Sequence, residues 1–200
     1  MKNSLAILAF FVLGVFGGRL HLLPDWLEHP SGPYYTLLLL LFLVGFTTGS
    51  DGSMWVLARQ MHLRVILVPA ATIVGTFAGV ALVAPLLDQL SLRDALAVGS
   101  GLGYYSLSSI LITELHSERL GVIALLANIT RELMTLTLAP VLARYFGKLA
   151  PIAVAGATSL DTTLPVITRY SGPELTTLAV FNGALLTVLV PLLVTLLIGN

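Results

Sequence analysis

The chain has 200 residues, of which 56% are hydrophobic and only 10% charged, with a mean hydropathy of +0.95; a soluble domain carries about 25% charged residues. So apolar a chain must place most of its surface in lipid, and a net charge of zero offers no footing for nucleic acid. It has no cysteine, hence no disulfide or thiol chemistry, and its four histidines (His21, His29, His62, His116) lack metal-ligand spacing, so no metal or other cofactor is expected.

A span needs about 20 apolar residues, so a chain of this length holds at most about seven. Residues 4–20 open the series. Their context, "MKNSLAILAFFVLGVFGG", has the look of a signal peptide, with Lys2 ahead of an apolar run. No A-x-A-like site follows, so a first span is the simpler reading. Residues 34–49 and 65–87 are the second and third spans, set off by the polar connections "HLLPDWLEHPSGP" and "ARQMHLR". Residues 121–143 and 175–198 are the fourth and fifth. In the last, Asn182 is the only strong polar group and Pro191 is placed to kink the helix.

Two further segments are apolar at their ends and small, polar and glycine-containing at their centres. They are residues 95–112, "ALAVGSGLGYYSLSSILI", and residues 150–167, "APIAVAGATSLDTTLPVI". A continuous helix through "GSGLG" is disfavoured, because each glycine costs about 1 kcal/mol relative to alanine. Pro165 similarly interrupts the second segment. Non-helical backbone at membrane depth survives only where protein or water satisfies it. Both segments therefore read as broken or re-entrant helices lining a cavity. The fold class is an all-α polytopic integral membrane protein of five transmembrane helices plus two broken or re-entrant segments, in a single transporter domain.

The two broken segments correspond. A shift of 56 positions places Ala97-Val98 on Ala153-Val154, Ser106 on Thr162 and Ile110 on Val166. Paired, interrupted hydrophobic segments point to a transport site built from two repeats. If both turn back, Lys2, Arg59, Arg64, Arg144, Lys148 and Arg169 share one side, and Arg19, Arg93 and Arg119 the other. If both cross, the split is five against four. Basic residues mark the cytoplasmic side. The re-entrant arrangement is thus expected, with the N-terminus cytoplasmic and the C-terminus outside.

The chemistry concentrates at the breaks and in the fourth span. There, Asn128, Glu132, Thr135 and Ala139 form one helical stripe facing the bundle interior, with Leu125, Leu126, Leu133, Met134 and Leu136 opposite. Ionisable groups at membrane depth are functional by default. The alternative is a structural Arg131–Glu132 pair locking two helices. Asp161 sits in the second break. It reads either as a substrate carboxylate or as the N-cap of a short helix that meets Pro165 at N4. Two buried carboxylates on separate elements can hold a cation or take up protons, and that competition is the minimum for proton/cation exchange. Ser100, Tyr104, Tyr105 and Ser106 in the first break, with Ser159, Thr162 and Thr163 in the second, complete the candidate set. Free N–H groups of the half-helices there suit a carboxylate, and the tyrosines suit an ammonium group.

The stretches "YYTLLLLLFLVGF", "GSGLGYYSLSSILITE", "LANITRELMTLTLAPVL" and "GATSLDTTLPVITRYSG" together resemble the bacterial and archaeal lysine exporter family LysO. The resemblance runs from Leu5 to Leu197. It implies export of L-lysine and of its toxic analogue thialysine across the cytoplasmic membrane, and no enzymatic activity. It places the family's critical acid pair on Glu132 and Asp161. Tyr104 stands where the family carries Trp. Fuller members have further N-terminal sequence of about three spans. A homodimer or a separately encoded N-terminal half is therefore an expected partner.

Overall fold

The computed structural model describes residues 65–87 and 90–198, together with isolated positions between 13 and 50. The chain divides into two compact units, Met1–Leu40 and Leu41–Asn200. All elements named below belong to the second, and all are helical. Apart from those isolated positions, the expected spans 4–20 and 34–49 lie outside the described residues.

Helix α1 (Leu67–Val83) runs on through a 3-10 turn at Ala84–Leu86. Helix α2 (Leu92–Gly99) begins at Ser91, whose hydroxyl accepts the Asp94 N–H at 3.1 Å. It stops at the glycines, and after Ser100–Tyr104 the chain resumes as α3 (Tyr105–Leu115). Ser117 caps α4 (Glu118–Tyr145), the longest described helix, by accepting the Leu120 N–H. Its 28 residues reach about 42 Å, more than a bilayer core requires. Pro140 lies within it.

The second broken segment is more divided. Helix α5 (Ala150–Ala155) passes into a 3-10 turn at Gly156–Leu160; a turn at residues 161–163 follows, and then α6 (Leu164–Ser171). Helix α7 (Thr176–Ile198) closes the described chain and contains Pro191. Pro165 is at N2 of α6, with Thr163 as N-cap, not at N4 after an Asp161 cap. The turn at 161–163 delays the helix by two residues. A proline at that position starts a helix at no cost, because its missing N–H would be unpaired anyway.

Among the described residues, three helical stretches are long and apolar enough to cross a membrane: Leu67–Leu86, Glu118–Tyr145 and Pro173–Ile198. The interior side of α4 is Leu120, Gly121, Ala124, Asn128, Thr135 and Ala139, while Leu126, Leu133 and Met134 are exposed. This is the spacing of one helical face. An apolar cluster of Val68, Ile152, Ala155, Ile167 and Ala179 ties α1, α5, α6 and α7 together. Helix α3 packs along α4, and α7 packs on the 3-10 turn of the second break. A Cβ on Gly183 would lie 2.6 Å from Leu160 N, so only glycine allows that approach.

Candidate functional site

The two breaks meet. The Ala157 N–H donates to Leu102 O at 2.8 Å, bonding the backbone of one break to that of the other. A Cβ on Gly156 would lie 2.1 Å from Leu102 O, and one on Gly103 2.6 Å from Ala155 O. Both glycines also hold positive φ, +64° and +96°, so glycine is required there for conformation as well as for space. Leu102 takes φ 46°, which costs an L-residue about 1–2 kcal/mol, and it is fully buried.

Each break is clamped by a buried asparagine from a long helix. Asn128 of α4 accepts the Gly103 N–H at 2.8 Å and donates to Val98 O at 3.3 Å and Ala124 O at 2.9 Å. Asn182 of α7 donates to Ile152 O at 3.4 Å, Gly156 O at 3.2 Å and Ser159 Oγ at 3.2 Å. Its Oδ1 is buried without a hydrogen-bond partner.

Arg131 is spent on the second break. Its Nε donates to Val154 O at 2.6 Å, Nη2 to Ala153 O at 3.0 Å, and Nη1 to Thr76 Oγ1 of α1 at 3.2 Å. These carbonyls close α5, whose C-terminal end carries partial negative charge. The guanidinium therefore satisfies orphan acceptors and the helix dipole together. No ion pair links Arg131 to Glu132, so the alternative of a structural Arg131–Glu132 pair is not what the structure contains. Glu132 is half-buried beside Arg131 and has no hydrogen bond to any described residue.

A cavity of about 270 Å3 opens at the crossing. Tyr104, Tyr105 and Ser106 line it from the first break, Thr158, Asp161 and Thr162 from the second, and Thr187 from α7. Asp161 is exposed, and its Oδ1 accepts the Thr162 N–H at 2.6 Å and the Thr162 hydroxyl at 3.3 Å. Its Oδ2 makes no hydrogen bond among the described residues and is open to a cation. Facing it is the first turn of α3, whose N-cap residue, Tyr104, makes no side-chain capping hydrogen bond. Its N–H groups are available to an anion.

Of the sequence-predicted residues, Tyr104, Tyr105, Ser106, Asp161 and Thr162 are brought together on this cavity. The others do not line it. Ser100 donates to Ala97 O at 2.7 Å and Thr163 to Thr158 O at 2.9 Å. Ser159 Oγ lies 2.7 Å from both Gly156 O and Ala179 O. All three are fully buried. Asn128 and Arg131 hold the two breaks, and Glu132 does not reach the cavity. A smaller cavity of about 160 Å3, beside Asp94, His116 and Arg119, involves none of these residues. Among the described residues no cluster of His, Asp and Glu could hold a metal ion.

Sequence reasoning gave Asn182 no role. Only the hydrogen bonds reveal it: Asn128 donates to Val98 O, 30 residues before it, and Asn182 to Ile152 O, 30 residues before it. Thr76 likewise had no signal, because only the tertiary fold brings α1 to Arg131.

Residues 8–198 match the family model described as lysine exporter LysO. The chain is 38% identical over 170 residues to the lysine exporter LysO of Escherichia coli, which covers 84% of this chain and 56% of that protein. It is 30% identical over 191 residues to a putative lysine exporter of Haemophilus influenzae, covering 94% of each. The chain thus spans about half the length of the E. coli relative. No solved structure matches.

Proposed function

Because this chain belongs to the lysine exporter LysO family, we propose that it is a secondary transporter that exports L-lysine, and thialysine with it, across the cytoplasmic membrane in exchange for protons. The observation that carries this reading is the cavity at the crossing of the two breaks, with a free carboxylate oxygen on one wall and an uncapped helix N-terminus on the other. Free lysine needs both. Its side-chain ammonium pairs with Asp161, with Tyr104 and Tyr105 as aromatic neighbours. Its carboxylate faces the first turn of α3. Ligand pockets are commonly about 300–1,000 Å3 for larger, drug-sized molecules, so about 270 Å3 suits a single amino acid.

Energetics favour exchange. Lysine leaves as a monocation against an inside-negative potential, at about 2.3 kcal/mol per 100 mV. One inward proton cancels that electrical term and leaves the pH gradient to drive export. Glu132, half-buried and without a hydrogen bond to any described residue, is the group we assign to carry the proton. In the membrane the chain is multi-pass, with a cytoplasmic N-terminus and an external C-terminus. Ser106, Asp161 and Thr162 are exposed in the isolated chain, and polar groups at that depth require cover. A second copy, or a separately encoded N-terminal half, would supply it.

The test is uptake of labelled lysine into inside-out vesicles. Accumulation that follows an imposed inside-acid pH gradient and collapses when the gradient is dissipated is the expected result. Uptake that ignores the gradient would remove proton exchange, and absence of uptake would remove lysine.

A further inference from the structure

The two ends of each broken segment lie together. Asp94 Oδ1, in the first turn of α2, is 3.4 Å from His116 Nε2, just past the end of α3. Lys148 Nζ, ahead of α5, is 2.9 Å from Glu174 Oε1, beyond α6. A segment that crossed the membrane would hold its ends about 30 Å apart, so each is a hairpin. The first ends where α4 begins and the second starts where α4 ends. The hairpins therefore enter from opposite faces, and their tips meet at the bond from the Ala157 N–H to Leu102 O.

Each hairpin is bonded to both long helices. The first is held by Asn128 of α4 at Val98 O and the Gly103 N–H, and by α7 through the bond from Arg93 Nε to Leu197 O. The second is held by Arg131 of α4 at Ala153 O and Val154 O, and by Asn182 of α7 at Ile152 O and Gly156 O. At the tips, Leu102 O and Ala155 O lie where a Cβ on Gly156 and on Gly103 would be, so backbone packs directly on backbone. Every residue lining the larger cavity comes from the two hairpins or α7. Helix α1 is attached differently. Among the described residues one hydrogen bond joins it to the rest, from Arg131 Nη1 to Thr76 Oγ1. Its other attachments are apolar, through Val68 in the core cluster and through Val80 against Gly99.

We propose that the two hairpins, α4 and α7 form one body that slides past α1 and carries the cavity intact between the two faces of the membrane, the hairpin tips never parting. The proposal rests on the transporter reading above, since an exporter must present its site to one face and then to the other. Parting the tips would break the Ala157–Leu102 bond and leave both backbone groups unpaired at membrane depth, where no lipid group can replace it. Rocking one hairpin and its long helix against the other pair would break that bond too, together with those of Arg131 to Ala153 and Val154 and of Arg93 to Leu197. Sliding past α1 breaks only the Arg131–Thr76 bond, and the Thr76 hydroxyl keeps Thr72 O at 2.7 Å. Packed helices with apolar contacts shear in this way. Thr72 is one turn along α1 from Thr76 and presents Arg131 with the next hydroxyl, which sets the step at about 5 Å.

The chain has no cysteine, so introduced pairs report without background. Spin labels at the exposed positions of Glu114→Cys and Tyr170→Cys measure the distance between the hairpins, and labels at Leu82→Cys and Tyr170→Cys the distance from α1 to the body. Double electron–electron resonance is recorded in reconstituted membranes, with and without lysine, at neutral and at acid pH. The first distance is expected to stay fixed and the second to shift by about 5 Å. In a second arm, Val80→Cys is paired with Gly99→Cys. A Cβ on Gly99 lies 3.8 Å from Val80 Cβ, the separation of a disulfide, and the methyl it would strike leaves with the valine. The oxidised pair pins the body to α1 and is expected to bind lysine but not exchange it until reduced. A Leu82–Tyr170 shift on acidification in protein that binds no lysine would support the moving body and count against lysine as its substrate. A Glu114–Tyr170 distance that changes, a Leu82–Tyr170 distance that does not, or an oxidised pair that exchanges lysine as its reduced form does would overturn the proposal.

Discussion

Replacing Arg131 by methionine removes three donors at once, those to Val154 O, Ala153 O and Thr76 Oγ1. The two carbonyls close a helix of only six residues, which has little internal hydrogen bonding of its own. Hydrogen bonds from a charged group are worth about 1.5–3 kcal/mol each. Two of them, partly offset by relief of burying the guanidinium, give a loss of about 3 kcal/mol. For a chain of this size that lowers Tm by roughly 10 °C. Arg131→Lys keeps the charge at the α5 terminus but cannot reach both carbonyls and Thr76 from one nitrogen, so it should fall between. The assay is thermal unfolding in detergent, followed by loss of the monodisperse gel-filtration peak. The discriminating variant is Arg131→Met with Glu132→Leu. If the arginine and glutamate were mutual partners, removing both would restore stability. Here Arg131 bonds the break and not Glu132, so the double variant should melt with Arg131→Met. A double variant that melts with the parent protein would refute the reasoning.

Glu132→Gln should reach the membrane at the parent level, since no hydrogen bond to a described residue is lost, and should bind lysine normally yet lose the dependence of export on the pH gradient; retained pH coupling would take Glu132 out of the mechanism. Cysteine labelling at Lys2 and Asn200 should find the two ends on opposite faces of the membrane, and both ends on one face would rule out five spans with two re-entrant segments. Light scattering in detergent should report a dimer or a hetero-oligomer, against which a monodisperse monomer that still binds lysine would count.

Much of this architecture was legible because its causes are local. "GSGLG" cannot continue a helix cheaply, and α2 does end at Gly99. The polar centre of "AGATSLDTTLP" likewise marks a real interruption, although the turn before Leu164 placed Pro165 at N2, two positions earlier than a cap at Asp161 implied. The buried face of α4 was legible from spacing in three of its four positions, since Asn128, Thr135 and Ala139 are buried while Glu132 is only half-buried. What was not legible depends on contacts distant in the chain. Arg131 has an acid beside it in sequence, so a local pair was the natural alternative. Its real acceptors lie 22 and 23 residues away on the other break. Asn182 looked like a lone amide in an apolar span, and only the bonds to Ile152 and Gly156 give it a role. The grouping of Tyr105, Ser106, Asp161 and Thr162 on one cavity required the breaks to cross, which no residue pattern specifies.

The central claim is that lysine is held at the crossing of the two breaks by Asp161. Lysine binding to purified protein by titration calorimetry, for the parent and for Asp161→Asn, tests it most directly. The substitution keeps the size of the side chain and an oxygen for the Thr162 N–H, and removes only the charge. A charge-assisted contact of about 1.5–3 kcal/mol corresponds to roughly ten- to a hundredfold in affinity. The expected result is a loss of that size at an unchanged melting temperature. Equal affinity in the two proteins would contradict the assignment of the site.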